Sequence, residues 1–145
     1  MAITYDNIAY SEIELGVKSV ISKEFHNVYI GNQFKMLGTE CIRVELISST
    51  LLLQTGALEQ REYALIVRYY HKADVSQELI NKAVKGKIDR LRKHLLDNQT
   101  FKNKNWAELR VEEIIYNVQD EENEEQDNLN IAEYELSIVH NNVYT

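Results

Sequence analysis

The chain has no proline and only five glycines in 145 residues. Those two residues are the usual markers of a flexible linker, so their scarcity predicts one domain spanning residues 1–145. The glycines, Gly16, Gly31, Gly38, Gly56 and Gly86, stand too far apart to form a phosphate-cradling loop, and no dinucleotide fingerprint is present. A single cysteine, Cys41, excludes an internal disulfide and fits a reducing compartment. It opens an apolar run, which reads as a small core residue. No apolar stretch reaches the roughly 18 residues that a membrane span needs, so no membrane partner is expected. Residues Met1–Asp6 lack a basic and an apolar region of leader type, so no secretory signal is expected. The acceptor-like Asn98-Gln99-Thr100 then reads as a chance match.

Positive charge is missing from one part of the chain. Between Val111 and Thr145 there is no Lys or Arg, but there are ten acids. Residues 61–110 hold twelve basic side chains against six acids, and residues 1–60 hold four against seven. The three nets, −3, +6 and −10, recover the overall −7. Segregation of this kind suits a protein that packs head-to-tail against copies of itself.

The apolar pattern divides the chain into seven elements. Asp6 or Asn7 is placed to cap a helix running to about Glu24, with Ile13, Val17, Val20 and Ile21 at helical spacing and Tyr10 one turn earlier. Val28–Ile30, closed by Gly31-Asn32, reads as a short strand. Cys41–Leu46 alternates Ile42, Val44 and Leu46 inward with Arg43 and Glu45 outward, and the run extends to Leu53 past a bulge near Ser48-Ser49-Thr50. After a turn at Gln54-Thr55-Gly56, Glu62–His71 returns with Tyr63, Leu65, Val67 and Tyr69 on one face, completing a long hairpin. Ser76 is placed to cap a helix to about Leu96, whose stripe is Leu79, Ile80, Ala83, Val84, Ile88, Leu91 and Leu95. Arg110–Val118 and Leu129–Val139 read as strands of a final hairpin. The order α-β-β-β-α-β-β predicts an α+β fold, an antiparallel or mixed sheet of four to five strands with two helices on one face.

Catalytic and ligand motifs are absent from the sequence. His26, His71, His94 and His140 are scattered, lack metal-site spacing and read as surface or rim residues. Asp120, Glu121, Glu122, Glu124, Glu125 and Asp127 repel one another and read as a solvated loop. Water-exposed carboxylates gain nothing from burial, which general-acid work normally needs, and the run lacks EF-hand spacing. No cofactor, no metal and no enzymatic activity are expected. The face of the second helix carrying Lys82, Lys85, Arg92 and Lys93 is a candidate contact for nucleic acid or for an acidic protein surface; a pI near 5.1 favours the protein.

The element order, the size and the charge layout, over nearly the whole chain, resemble the tail-terminator and tail-completion proteins of tailed bacteriophages. The resemblance implies a structural virion protein in the tail or neck, assembled in the host cytoplasm. It implies a homo-oligomeric ring, commonly of six subunits, that caps the tail tube and joins it to the head–neck connector proteins. Genomic DNA would pass through the channel without specific binding. The Cys41–His71 hairpin would make axial contacts. A heterologous subunit interface would set Lys82, Lys85, Arg92 and Lys93 against Glu133 and Glu135 of the next copy. The Asp120–Asp127 loop would face the channel or a neighbouring ring. Two other readings stand beside it: a different head–tail connector or stopper, and a small acidic nucleic-acid- or host-protein-binding module.

Overall fold

A computed structural model describes residues 7–33, 35–36, 38–72, 77–116 and 129–143. A π-helical stretch, Ile8–Glu14, runs directly into α1, Leu15–Ile21. The strands are β1 Val28–Ile30, β2 Glu40–Thr55, β3 Leu58–Lys72, β4 Trp106–Ile115 and β5 Leu129–Val143, with α2, Gln77–Asp97, between β3 and β4. The five-stranded sheet has the order β1-β2-β3-β5-β4. It is mixed, because β1 runs parallel to β2 while the other neighbours are antiparallel. The expected α+β architecture is the observed one.

Both helices lie on one face of this sheet. Register rows place Ile42 beside Tyr69 and Ala132, Val44 beside Val67 and Tyr134, and Leu46 beside Leu65, Leu136 and Val111. Most of these side chains join Ile13, Val17, Val20 and Ile21 of the N-terminal helix and Val84, Ile88, Leu91 and Leu95 of α2 in one core. Each fully buried aliphatic side chain contributes about 1.5–3 kcal/mol, so the α2 stripe alone anchors that helix. Polar bonds orient the layer. The Tyr134 hydroxyl donates to the Ile88 carbonyl at 2.7 Å, and Arg90 of α2 reaches Glu24 after α1 at 2.6 Å.

Several expectations change in detail. Asn7 caps the first helix by accepting the Tyr10 N–H, but the first half winds wide, with Leu15 N–H reaching back to the Tyr10 carbonyl. Tyr10 and Ala83 are exposed, outside the core stripes. β4 begins at Trp106 and ends at Ile115, where Arg110–Val118 was expected; burial of Trp106 and Leu109, opposite His140 and Ile138, extends the strand backwards. β5 runs on to Val143 because Asn141 and Asn142 pair with Gln60 and Glu59. Two bulges interrupt β2, skipping Ile47 and Leu52. Gly56, at φ +53°, turns the hairpin in a conformation that few side chains adopt. The expected cap, Ser76, lies outside the described residues.

Trp106 ties the start of β4 to the N-terminal helix. Its indole N–H donates to the Glu12 carbonyl at 2.8 Å, and its ring lies over Gly16. A Cβ at Gly16 would stand 2.6 Å from Trp106 Cζ2. Gly16→Ala is therefore expected to destabilise the fold by about 1–3 kcal/mol despite its better helix propensity, measured by urea denaturation. An unchanged or raised midpoint would contradict this packing.

Candidate interaction surfaces

Charge is divided unequally between the two faces of the sheet. On the helix side, α2 carries six Lys or Arg residues against three Asp or Glu. Lys82, Lys85, Arg90, Arg92 and Lys93 are exposed on its outer surface. On the open side, one register row runs Glu45, Ile66, Glu135, Glu113 across four strands. The next row holds Arg43, Arg68 and Glu133. The basic and acidic groups of the expected subunit interface thus point to opposite sides of the molecule.

Folding already engages some of these groups. Arg68 Nε donates to Glu133 Oε1 at 2.9 Å, so Glu133 is committed within the chain. Burial is the largest single influence on Arg68 and works against its charge, but the hydrogen bonds and charges of Glu133 and Tyr70 together outweigh it and the guanidinium pKa rises. Arg92 has Asp89 three residues away and Lys93 has Asp97 four away, both solvent-screened pairs of small value. Lys82, Lys85 and Glu135 form no ion pair with another described residue. The acidic run Asp120, Glu121, Glu122, Glu124, Glu125 and Asp127 lies outside the described residues.

The open face is not bare. Cys41, Tyr70 and Ile131 are buried there against Tyr29, Met36 and Leu129. Arg43, expected to point into solvent, is buried at 6% exposure in the same region. Burial pushes the Tyr70 phenol up to about 12, with Arg43 and Arg68 pulling the other way, so it stays neutral at physiological pH.

Two titratable clusters escaped the sequence reading. His140, expected at the rim, is buried beneath Tyr63 and bonded to Glu12, a residue 128 positions away. Asn105 donates to the other Glu12 oxygen at 3.2 Å. At the opposite end of the core, the Tyr69 hydroxyl donates to Glu40 at 2.5 Å and lies 3.2 Å from His71 Nδ1. Burial, then the Glu40 bond, drives the Tyr69 pKa far upward, which makes the phenol a donor and not a base. Both clusters tie distant segments together. Among the described residues no three His, Cys, Asp or Glu side chains converge on a common point as a metal requires. No described helix is long and apolar enough to cross a membrane.

The far end of the β2–β3 hairpin extends beyond the helices. Every residue from Ile47 to Thr55 is exposed, including Ile47, Leu51, Leu52 and Leu53. At the base of this arm, the Glu14 carboxylate accepts the Leu46 N–H. Burial pushes the Glu14 pKa upward, that hydrogen bond opposes the shift, and the charge of Glu45 adds to it.

Neither the protein-family models nor the curated proteins compared with this chain match it.

A raised carboxyl pKa means that ionising Glu14 costs the folded state some stability. Its contribution is fully present below the ordinary Glu range and is lost as pH rises through the raised value. Glu14→Gln, which stays neutral and still accepts from Leu46, should raise the thermal midpoint at pH 7. The difference from wild type should close below about pH 4. A lowered midpoint at pH 7 would contradict the desolvation account.

Proposed function

We propose that this chain is a structural, ring-forming subunit of a tailed-bacteriophage neck, the tail terminator that caps the tube and joins it to the head. The observation that carries the reading is the placement of charge on opposite faces of the sheet. The exposed Lys82 and Lys85 and the exposed Glu135 cannot meet within one molecule. A second copy, stacked with its open face against α2, brings them together. Contact between two different patches is heterologous and leads to a closed ring when the rotation between copies closes. The element order and the long apolar arm, suited to axial contacts, also favour this reading. Another neck ring of similar build is the nearest variant and differs in its partners.

The groups with shifted pKa values support a structural role over a catalytic one. Glu14, Arg68, Tyr69, Tyr70 and Tyr134 do not line either of two surface depressions among the described residues, one beside Tyr29 and Lys35, the other beside Lys23 and Phe101. Perturbed groups at an active site normally share its cleft. A nucleic-acid-binding reading draws on the uncommitted cations of α2 alone.

Charge reversal tests the proposal. Lys85→Glu and Glu135→Lys should each weaken self-association by roughly fivefold, in keeping with the modest worth of a rim ion pair. The two single variants mixed together should recover it. Sedimentation across a concentration series at low salt reads both. If Lys85→Glu leaves the mass unchanged but abolishes retention of a DNA fragment, the nucleic-acid reading replaces the ring.

A further inference from the structure

Among the described residues, the outer edge of β2 is open over most of its length. β1 covers it only at Ile42, Arg43 and Val44. The Glu14 carboxylate occupies the Leu46 N–H. From Ile47 to Thr55, β3 is the one described strand that pairs with β2, and it lies on the inner side.

Natural sheets blunt such edges with charge, proline, bulges or a covering segment. The other edge of this sheet is blunted: β4 carries Glu108, Arg110, Glu112 and Glu113. Its first half is also covered, with Trp106 N–H bonded to Phe101 O at 3.1 Å and Leu109 N–H to Gln99 O at 2.8 Å. On β2 the described residues supply two bulges but neither charge nor a covering segment beyond Leu46. The thirteen residues from Leu46 to Leu58 include no charged side chain and no proline. The two bulged residues, Ile47 and Leu52, do not bring charge to the edge; they add exposed apolar surface to that of Leu51 and Leu53.

We propose that Ile47–Thr55 pairs antiparallel with the same segment of a second copy, about a two-fold axis at Leu51. Self-pairing sets Leu51 opposite Leu51, with the bulge at Leu52 displacing the pairs beyond it, and no charge faces another. The free run is bounded by β1 at one end and by the Gly56-Ala57 turn at the other. Each copy's turn therefore ends beside the other copy's β1. The β4 edge of a second copy is a poorer mate, being charged and half covered. A two-fold axis perpendicular to the sheet joins two five-stranded sheets into one and keeps all four helices on the same side. This pairing goes beyond the ring reading, in which the same arm makes axial contacts, and the two uses exclude each other.

Single cysteines test the axis, because the native Cys41 is fully buried. Opposed Cα atoms in an antiparallel pair lie about 4.5–5.5 Å apart, within disulfide reach. Thr55 and its copy lie about 27 Å apart at about 3.4 Å per residue. Under mild oxidation, Leu51→Cys should form the covalent dimer at least tenfold faster than Thr55→Cys; equal rates would overturn the proposal. Leu51→Lys places two like charges on the axis at an exposed position and should weaken the dimer at least tenfold by sedimentation, with unchanged circular dichroism. If Leu51→Lys leaves the mass unchanged while Lys85→Glu lowers it, the pairing falls and the ring reading stands. If Leu51→Lys alone lowers the mass, the pairing stands and the ring reading falls.

Discussion

Packing of the N-terminal helix and α2 on the same face of the sheet sets the rest of the molecule. The contact is made by Val17, Val20 and Ile21 on one helix and Val84, Ile88, Leu91 and Leu95 on the other, over a floor formed by Val67, Tyr69, Tyr134 and Leu136. Trp106 closes it at one end by lying over Gly16. Once that face is covered, every side chain alternating with the floor must go to the other. Glu45, Glu113, Glu133 and Glu135 alternate with core residues on β2, β4 and β5, so they gather on the open face. The cations of α2 lie opposite its buried stripe and face outward from the other layer. Charge polarity across the sheet thus follows from one packing decision and two periodicities.

The same layer explains the exposed arm. The helices cover the strand rows from about Ile42 to Tyr63, whereas β2 and β3 run on to Thr55 and Leu58. Beyond the helices the hairpin has no partner layer among the described residues, although its sequence stays apolar at Ile47 and Leu51–Leu53. Its β2 strand, uncharged from Leu46 to Thr55 and open along one edge, is costly to leave in water and prone to pairing with another strand. Both the axial contact of the ring reading and the self-pairing about Leu51 satisfy that demand.

Elements with a strong period were legible from the residues alone. The α2 stripe and the Tyr63–Tyr69 alternation declared their elements because burial on one face repeats every 3.6 or every 2 residues. The π-helical winding of Ile8–Glu14 carried no such signal. Trp106 was hidden because a polar approach, Lys102–Asn105, precedes it, and its place in β4 depends on His140 across the strand pair. The Glu12–His140 bond joins residues at opposite ends of the chain, so no local pattern could announce it. Among the candidate interface residues, the outward direction of Lys82 and Lys85 followed from helical spacing. The loss of Glu133 to Arg68 did not, since it requires β3 and β5 to be neighbours. Counting charge along the chain therefore overstated the separation, because part of it is neutralised between adjacent strands.

The central claim is that copies of this chain assemble through opposite faces into a ring. Light scattering of the purified protein at low and moderate salt, with negative-stain images of the same samples, tests it most directly. The account predicts closed particles of about six copies, a small multiple of the 17.0 kDa chain, that loosen as salt rises. A mass of one or two chains at every concentration and salt, with no ring in the images, would contradict it.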